Sequence, residues 1–320
     1  MNAGKNDAGG GGLQAYYGGQ AVMEGVMMRG KRICVLAVRT PDKGIAIEKR
    51  ELKQSAGKIR KLPVIRGVFA FVDSLVLGLK THMRSAELAG LEDEEIDKKT
   101  TDRLLYGSVA FAILLAVGLF MLLPAWIGSF FKNHLGGNTS LLGVVEGFIR
   151  IGIFILYVVI IASIGEIKKV FQYHGAEHKT INCYESAGKG GRVDGGELSV
   201  PNVKNFSRLH KRCGTSFLFI VMVVSMVVFI FVRTDIVWLR FLSRILLLPF
   251  IAGFSYEVIK WAGRREGLLV DIVSFPGMCI QRMTTAEPDD GQIETAIAAL
   301  RGVLESENES GGGGETPEAS

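Results

Sequence analysis

Four long stretches of this chain contain almost no charged residues, and their length restricts the folds that the chain can adopt. A helix needs about 20 mostly apolar residues to cross a bilayer. Because 48% of the residues are hydrophobic and only 22% are charged, the apolar excess must be concentrated in such stretches. The pattern therefore predicts a mainly α-helical membrane protein with about four transmembrane helices. The predicted spans are Leu104–Phe131, Leu141–Gly165, Thr215–Val232 and Ile236–Trp261.

The basic residues predict the orientation of these spans. Residues 166–213, between the second and third spans, carry a cluster of Lys and Arg, whereas the other two connections are short. Since Lys and Arg accumulate in cytoplasmic loops, we expect this loop and both termini to be cytoplasmic. The charges abut the span ends and suit the negative inner leaflet, so we expect a lipid bilayer as partner and no nucleic acid. These basic residues are Lys168, Lys169, Lys179, Lys189, Arg192, Lys204, Arg208, Lys211 and Arg212.

The sequence outside the spans predicts a small α+β cytoplasmic portion. Alternating apolar residues on both sides of a turn sequence predict a β-hairpin over Arg32–Leu52. Val64–Leu79 and Leu268–Met283 are apolar but interrupted by charged residues or Pro-Gly. We expect both segments at the membrane interface, the first as an interfacial or re-entrant helix.

A C-terminal amphipathic helix is predicted after Pro288, because apolar residues recur there at helical spacing. Its apolar face must pack on the other cytoplasmic segments. The polar, Gly-rich ends of the chain are predicted to be disordered. The predicted divisions are a tail (1–17), hairpin and interfacial helix (18–103), two spans (104–165), a basic loop (166–213), two spans (214–261), a cytoplasmic segment with the amphipathic helix (262–306) and a tail (307–320).

The sharpest chemical signal is the sequence His174-Gly175-Ala176-Glu177-His178, just beyond the second span. On a helix, the i and i+4 imidazoles share one face, and Glu177 lies nearly on that face. This H-x-x-E-H order is the inverted form of the zinc-hydrolase motif. His174 and His178 would hold Zn²⁺ or another divalent metal, and Glu177 would accept a proton from metal-bound water as general base. The alternative interpretation is a polar helix face that contacts lipid headgroups.

His210 and Cys213 precede the third span and are expected at the same membrane face as this motif. Two imidazoles with both of these residues would match a closed structural zinc site, whereas three protein ligands with Glu177 as base would match a catalytic one. Glu257, at the inner end of the fourth span, is a further candidate for the third ligand. The sequence leaves these alternatives open.

The four cysteines are expected in a reducing compartment, because Met1–Gly12 lacks the apolar core of a cleavable signal peptide. A disulfide framework is therefore not expected, and a thiolate metal ligand is compatible with this compartment.

We interpret the glycine-rich segment Gly18–Gly30 as a structural loop, with Glu24 as an alternative acidic ligand or base. Glu146 and Arg150 lie at i,i+4 spacing within the second span, and we interpret them as structural residues that satisfy each other or extend to the interface.

Four separated motifs occur in order along the chain: GGQAVMEGVMMRG, HGAEHKTINCYE, RCGTSF and TTAEPDDGQIETAIAAL. With these motifs the chain resembles the YqhQ-like bacterial membrane proteins, described as uncharacterised or as predicted metal-dependent enzymes. The likeness covers about Gly18 to Leu304. Lys31 and Lys211 stand where proline is common in the family, which concerns loop geometry and removes no candidate ligand. The resemblance implies a multi-pass protein of the bacterial inner membrane and brings no established substrate.

Two functions are compatible with the sequence. The first is a membrane-embedded metal-dependent hydrolase that acts at the cytoplasmic interface on an amphiphilic substrate, either a lipid or a membrane-protein segment. The second is a non-enzymatic scaffold, insertion factor or small transporter, in which a structural metal or hydrogen bonds hold the His/Cys cluster. The sequence indicates neither the substrate nor the oligomeric state.

Overall fold

The chain folds into a small sheet-and-helix unit joined to a group of long apolar helices. The structure, a computed structural model, describes residues 17–52, 57–91, 98–131, 134, 138–187, 198–211, 213–232, 236–262 and 267–311. The four strands form one antiparallel sheet in the order β1-β2-β3-β4. They are β1 (Gly18–Val22), β2 (Gly25–Arg29), β3 (Ile33–Arg39) and β4 (Ile45–Glu51).

The predicted hairpin is confirmed as β3 and β4, but the interpretation of Gly18–Gly30 as a loop is wrong. That segment forms β1 and β2, which turn at Glu24 with φ 49°. Both faces of β2 are covered: Val26 and Met28 pack into the core below the C-terminal helix, and Met27 packs on the opposite side. A strand buried on both faces lacks the alternation of polar and apolar residues that identifies most strands in a sequence.

Ten helices follow one another in the described residues, with one 3₁₀ turn (Lys58–Lys61) before the first and one π-helical turn (Gly118–Leu122) between the second and third. The first three are α1 (Ile65–Leu88), α2 (Lys98–Val117) and α3 (Leu123–Phe131). The next four are α4 (Thr139–Ala162), α5 (Gly165–Ala187), α6 (Val200–Lys204) and α7 (Gly214–Ile230). The last three are α8 (Val237–Ala262), α9 (Leu268–Thr284) and α10 (Asp290–Gly311).

Within the part of the chain that the structure describes, three helical stretches are long and apolar enough to cross a membrane: Tyr106–Phe131, Ser140–Ala162 and Phe241–Ala262. They correspond to the first, second and fourth predicted spans. The helix in the third predicted span, α7, has 17 residues and is about 26 Å long, which is less than the hydrocarbon thickness of about 30 Å. It contacts α4, α8 and α9. The structure therefore describes a membrane-associated helical protein, and the fourth crossing stays a prediction.

The second predicted span and the motif that follows it belong to separate helices. Helix α4 ends at Ala162, and α5 begins at Gly165 after a turn at Ser163 and Ile164. Helix α5 packs against β1, β2 and α10 and so belongs to the sheet-and-helix unit. The break places the His174–His178 motif on this unit, close to where the chain leaves α4.

The C-terminal amphipathic helix is confirmed as α10, which packs on β2, β3 and α5. Its predicted apolar face is buried from Ile293 to Val303. The prediction that a tail begins at 307 is wrong, because α10 continues to Gly311 and the Glu307 carboxylate accepts hydrogen bonds from Tyr17 Oη at 3.3 Å and from the backbone N–H of Lys31. Residues 1–16 and 312–320 of the predicted tails lie outside the described residues.

Helix α1 contains the predicted interfacial segment and extends nine residues beyond it to Leu88. Its first turn packs against α8, where the Arg66 guanidinium pairs with the Glu257 carboxylate. The absence of side chains at Gly67 and Gly253 permits this approach, since a Cβ at Gly67 would lie 2.7 Å from the Gly253 carbonyl oxygen. Glu257 is thereby committed to the α1–α8 contact.

Glu146 and Arg150 have structural contacts, but their hydrogen-bond partners lie outside α4. Both side chains are buried between helices, where the Glu146 carboxylate pairs with Arg244 of α8. Arg150 donates from Nε to the Phe120 carbonyl at 2.8 Å and from Nη1 to Ser225 Oγ at 3.1 Å. Partners on neighbouring helices were available to both residues, and charged groups within a membrane pair inside the helix bundle.

Candidate metal site

Helix α5 supplies three of the predicted functional side chains on one buried face. His174 and His178 are one turn apart, and their ring centroids are 4.4 Å from each other. Glu177 and His178 are 5% and 1% exposed, which is unusual for polar groups and requires partners for both. The helical spacing of the motif thus brings the three groups to one wall of a cavity of about 300 Å³.

Cys213 faces this wall from the first turn of α7. Its sulfur lies 3.2 Å from His174 Nε2 and accepts a hydrogen bond from the Thr215 backbone N–H at 3.4 Å, as the N-cap of α7. Helix N-termini favour negatively charged groups, and the thiolate is the form in which cysteine binds metals. The local geometry of α7 therefore suits a thiolate ligand at this position.

Two backbone carbonyls orient the imidazole rings. His174 Nδ1 lies 2.9 Å from the Thr284 carbonyl, and His178 Nδ1 lies 2.6 Å from the Arg208 carbonyl. A carbonyl oxygen can only accept, so each Nδ1 carries a proton, and in the neutral ring Nε2 presents a lone pair. Such outer hydrogen bonds are what hold metal-binding histidines in one tautomer.

His178 Nε2 is buried and makes no well-aligned hydrogen bond in the described part of the chain, and the Cys213 side chain is its neighbour. Burial lowers the pKa of His178, so the ring remains neutral at pH 7. The donor atoms of His174, His178 and Cys213 all lie within 4.8 Å of one another. Tetrahedral zinc with Zn–N near 2.0 Å and Zn–S near 2.3 Å would separate its ligand atoms by about 3.5 Å. These three side chains could therefore hold a divalent metal after small adjustments.

The carboxylate of Glu177 lies against strand β1 in the same cavity. Burial raises the pKa of Glu177, while the neighbouring His174 and His210 rings and the Gly19 backbone N–H act in the opposite direction. The cavity thus contains three candidate ligand side chains together with a buried carboxyl group whose pKa is raised.

Of the remaining predicted ligands, His210 lines the same cavity, whereas Glu257 and Glu24 do not. The His210 ring is 5.7 Å from the His178 ring, centroid to centroid, but its Nε2 faces Glu185 Oε2 at 3.4 Å, and it is not among the three grouped donors. Glu257 pairs with Arg66, as described above. Glu24 accepts hydrogen bonds from Tyr173 Oη at 3.2 Å and Lys169 Nζ at 3.4 Å, and so ties the β1–β2 turn to α5.

Several residues that shape the site were not identified from the sequence. The Gln281 side chain bonds to both the backbone N–H and the carbonyl of His210, at 2.8 Å each, and to Ser216 Oγ at 2.9 Å. It thereby holds the chain that enters α7. Gly175 permits close approach of the Ala286 carbonyl to α5. The glycines of the segment Gly18–Gly30 were a signal in the sequence for close packing, because a glycine permits close approach of the backbone to another surface.

Comparison with known proteins places the chain among relatives without an assigned activity. Residues 62–306 match the family described as "Protein of unknown function (DUF1385)". The chain is 35% identical over 301 residues to the "Uncharacterized protein YqhQ" of Bacillus subtilis (strain 168), covering 90% of this chain and 92% of the relative. No solved structure matches the chain. These likenesses agree with the resemblance inferred from the four sequence motifs.

Proposed function

The chain belongs to the DUF1385 family, and we propose that it is a membrane-embedded, metal-dependent hydrolase. The observation that carries this proposal is the convergence of three donors, from His174, His178 and Cys213, beside the buried carboxyl group of Glu177. Two rings held by backbone carbonyls present their lone pairs towards the Cys213 sulfur. His178 Nε2 is also buried beside the Cys213 side chain, as a ligand atom of such a site would be.

Zn²⁺ or another divalent ion bound by these three residues would activate a water molecule for attack on a carbonyl or phosphoryl group. Glu177 would accept the proton that the water loses as its oxygen bonds to the substrate. The same carboxyl group would then donate that proton to the oxygen or nitrogen that leaves when the scissile bond breaks. A raised pKa suits this double role, because a group that accepts and returns a proton works best near the ambient pH.

We place the reaction at the cytoplasmic face of a bacterial inner membrane. The site lies where α5 follows the apolar helix α4 and where α7 begins, so it adjoins the membrane-associated helices. The basic residues near it suit the cytoplasmic side. A substrate with one apolar and one polar part, either a lipid or a membrane-protein segment, suits such a position.

A non-enzymatic role is the second candidate. His174 Nε2 and Cys213 Sγ are within hydrogen-bonding distance at 3.2 Å, so part of the cluster can be held together without an ion. In that case the protein would serve as a scaffold, insertion factor or small transporter, with a structural His/Cys cluster. This role predicts that the carboxylate of Glu177 is dispensable.

The experiment combines metal analysis with complementation of a deletion strain. We expect the purified full-length protein to contain about one divalent ion per chain, as three protein ligands imply. Glu177→Gln should retain the ion but fail to complement the deletion strain. Glu166→Gln, at an exposed position of the same helix, should retain the ion and complement. Absence of metal from the unmodified protein, or full complementation by Glu177→Gln, would reject the hydrolase.

A further inference from the structure

A second cavity of about 720 Å³ lies beside the metal site, between α1, α7 and α8. We call it the α1–α7 groove. Its walls are mainly apolar and include Ala70, Phe71, Leu75, Phe217 and Leu218. The groove is more than twice as large as the cavity that contains the candidate ligands, and a larger share of its lining is apolar.

The rim of this groove is apolar as well. Leu75, Leu79 and Leu218 line it while their side chains are 56%, 43% and 45% exposed. Helix α8, which forms one wall through Tyr256, contains a stretch long enough to cross a membrane. Large exposed apolar surfaces mark contact with membranes or partners, and this one continues onto a candidate membrane span. The groove therefore opens towards lipid.

The groove adjoins the metal-site cavity. Gln20 and Gly214 line both, so they form the junction between an apolar and a polar compartment. The Gln20 amide lies against α1 at Gly78, where a Cβ would be only 2.6 Å from its side-chain oxygen. At Gly214 a Cβ would meet nothing within 4 Å, so the junction is open on the α7 side. A molecule that occupied both compartments would need an apolar part joined to a polar head.

The length of the groove matches one lipid chain. The residues of α1 that line it run from Ala70 to His82, which corresponds to about 18 Å of helix. One leaflet of the hydrocarbon core is about 15 Å thick. A polypeptide segment fits less well, because the mainly apolar lining could not satisfy an extended backbone, and a helix is about 10 Å wide.

We propose that the α1–α7 groove binds one acyl chain of a phospholipid from the surrounding leaflet and directs its polar end past Gln20 and Gly214 to the metal site. The polar half of this assignment rests on the proposed function. The groove itself rests on its lining, its rim and its junction with the cavity. The hydrolase would accordingly act on a membrane lipid.

The test uses the full chain in vesicles of phosphatidylethanolamine and phosphatidylglycerol, with a phosphatidylglycerol that carries a photoreactive diazirine on its acyl chain. After illumination, mass spectrometry locates the labelled residues. We expect labelling to concentrate on α1 and α7 at the groove. Gly214→Phe should reduce groove labelling about tenfold, because its ring occupies the junction, and Ser74→Phe should do so from a wall position remote from the ligands.

Gly152→Phe is the matched control, since Gly152 is exposed on α4 and a Cβ there meets nothing within 4 Å. Labelling spread evenly over α2, α4 and α8, or groove labelling that survives both substitutions, would overturn the proposal. A groove that stays unlabelled would also overturn it and would favour a membrane-protein segment. Metal content is measured on the same samples. Groove labelling without bound metal would support the groove proposal and reject the hydrolase. Bound metal without groove labelling would support the hydrolase and reject the groove proposal.

Discussion

Gly19 and Glu177 are in direct contact: a Cβ at position 19 would lie 2.8 Å from the Oε1 atom of the Glu177 carboxylate. The contact joins strand β1, the first element of the fold, to the functional face of α5. The carboxylate of the proposed general base is therefore positioned by a strand that begins more than 150 residues earlier in the chain. The carboxylate can come this close because Gly19 has no side chain.

We predict that Gly19→Ala displaces the Glu177 carboxylate, since the added methyl group would overlap it. The overlap should lower the free energy of unfolding by about 1–3 kcal/mol and abolish complementation while metal content remains normal. Thermal melting and metal analysis measure the two effects. Gly18→Ala is the control, because a Cβ at Gly18 meets nothing within 4 Å. Equal behaviour of the two variants would contradict the role of this contact.

In the metal-free protein, the effect of Glu177→Gln on the melting temperature should depend on pH. Burial raises the pKa of Glu177 above its ordinary value of 4.5 in the folded state. The stability associated with the protonated form is therefore complete below pH 4.5 and is lost as the pH rises through the folded-state pKa. We expect the variant and the unmodified protein to melt alike near pH 4.5, and the variant to melt higher at pH 8. Melting curves with a chelator present test this, and a constant difference at both pH values would refute it.

Removal of the metal should destabilise the unmodified protein but not variants that lack a ligand. Binding to the folded state alone adds about 2.7 kcal/mol when the free ion is at 100 times its Kd. A chelator should therefore lower the melting temperature of the unmodified protein and leave that of His178→Ala and Cys213→Ser unchanged. Cys183→Ser is the control, because Cys183 is buried in the core of the sheet-and-helix unit and is not among the grouped donors. A chelator should lower the melting temperature of Cys183→Ser as it lowers that of the unmodified protein.

Replacement of Arg244 alone should lower the free energy of unfolding more than replacement of both Arg244 and Glu146 by apolar residues. Arg244 and Glu146 are buried against each other, so Arg244→Ala would leave a buried carboxylate without its main partner. Removing one partner of a buried pair costs about 3–5 kcal/mol, whereas apolar replacement of both is often neutral. We expect the double variant Glu146→Leu with Arg244→Leu to melt closer to the unmodified protein than Arg244→Ala does. The reverse order would contradict this account.

The sequence by itself predicted the parts of the molecule that depend on local periodicity. The spacing of His174, Glu177 and His178 implied a shared helix face, and the apolar residues around Ile293 and Leu300 implied the buried face of α10. Both predictions need only the geometry of a helix, which is set by hydrogen bonds between residues four apart. The long apolar runs likewise identified three stretches that can cross a membrane.

The tertiary structure alone decided which of the predicted ligands converge. Cys213 and His210 are three residues apart in a segment without regular periodicity, and only packing turned the sulfur towards His174 and the ring of His210 towards Glu185. The carbonyl of Thr284 reaches the site from 110 residues away in sequence. Contacts of this kind depend on how remote elements pack, and no local rule of backbone geometry specifies them.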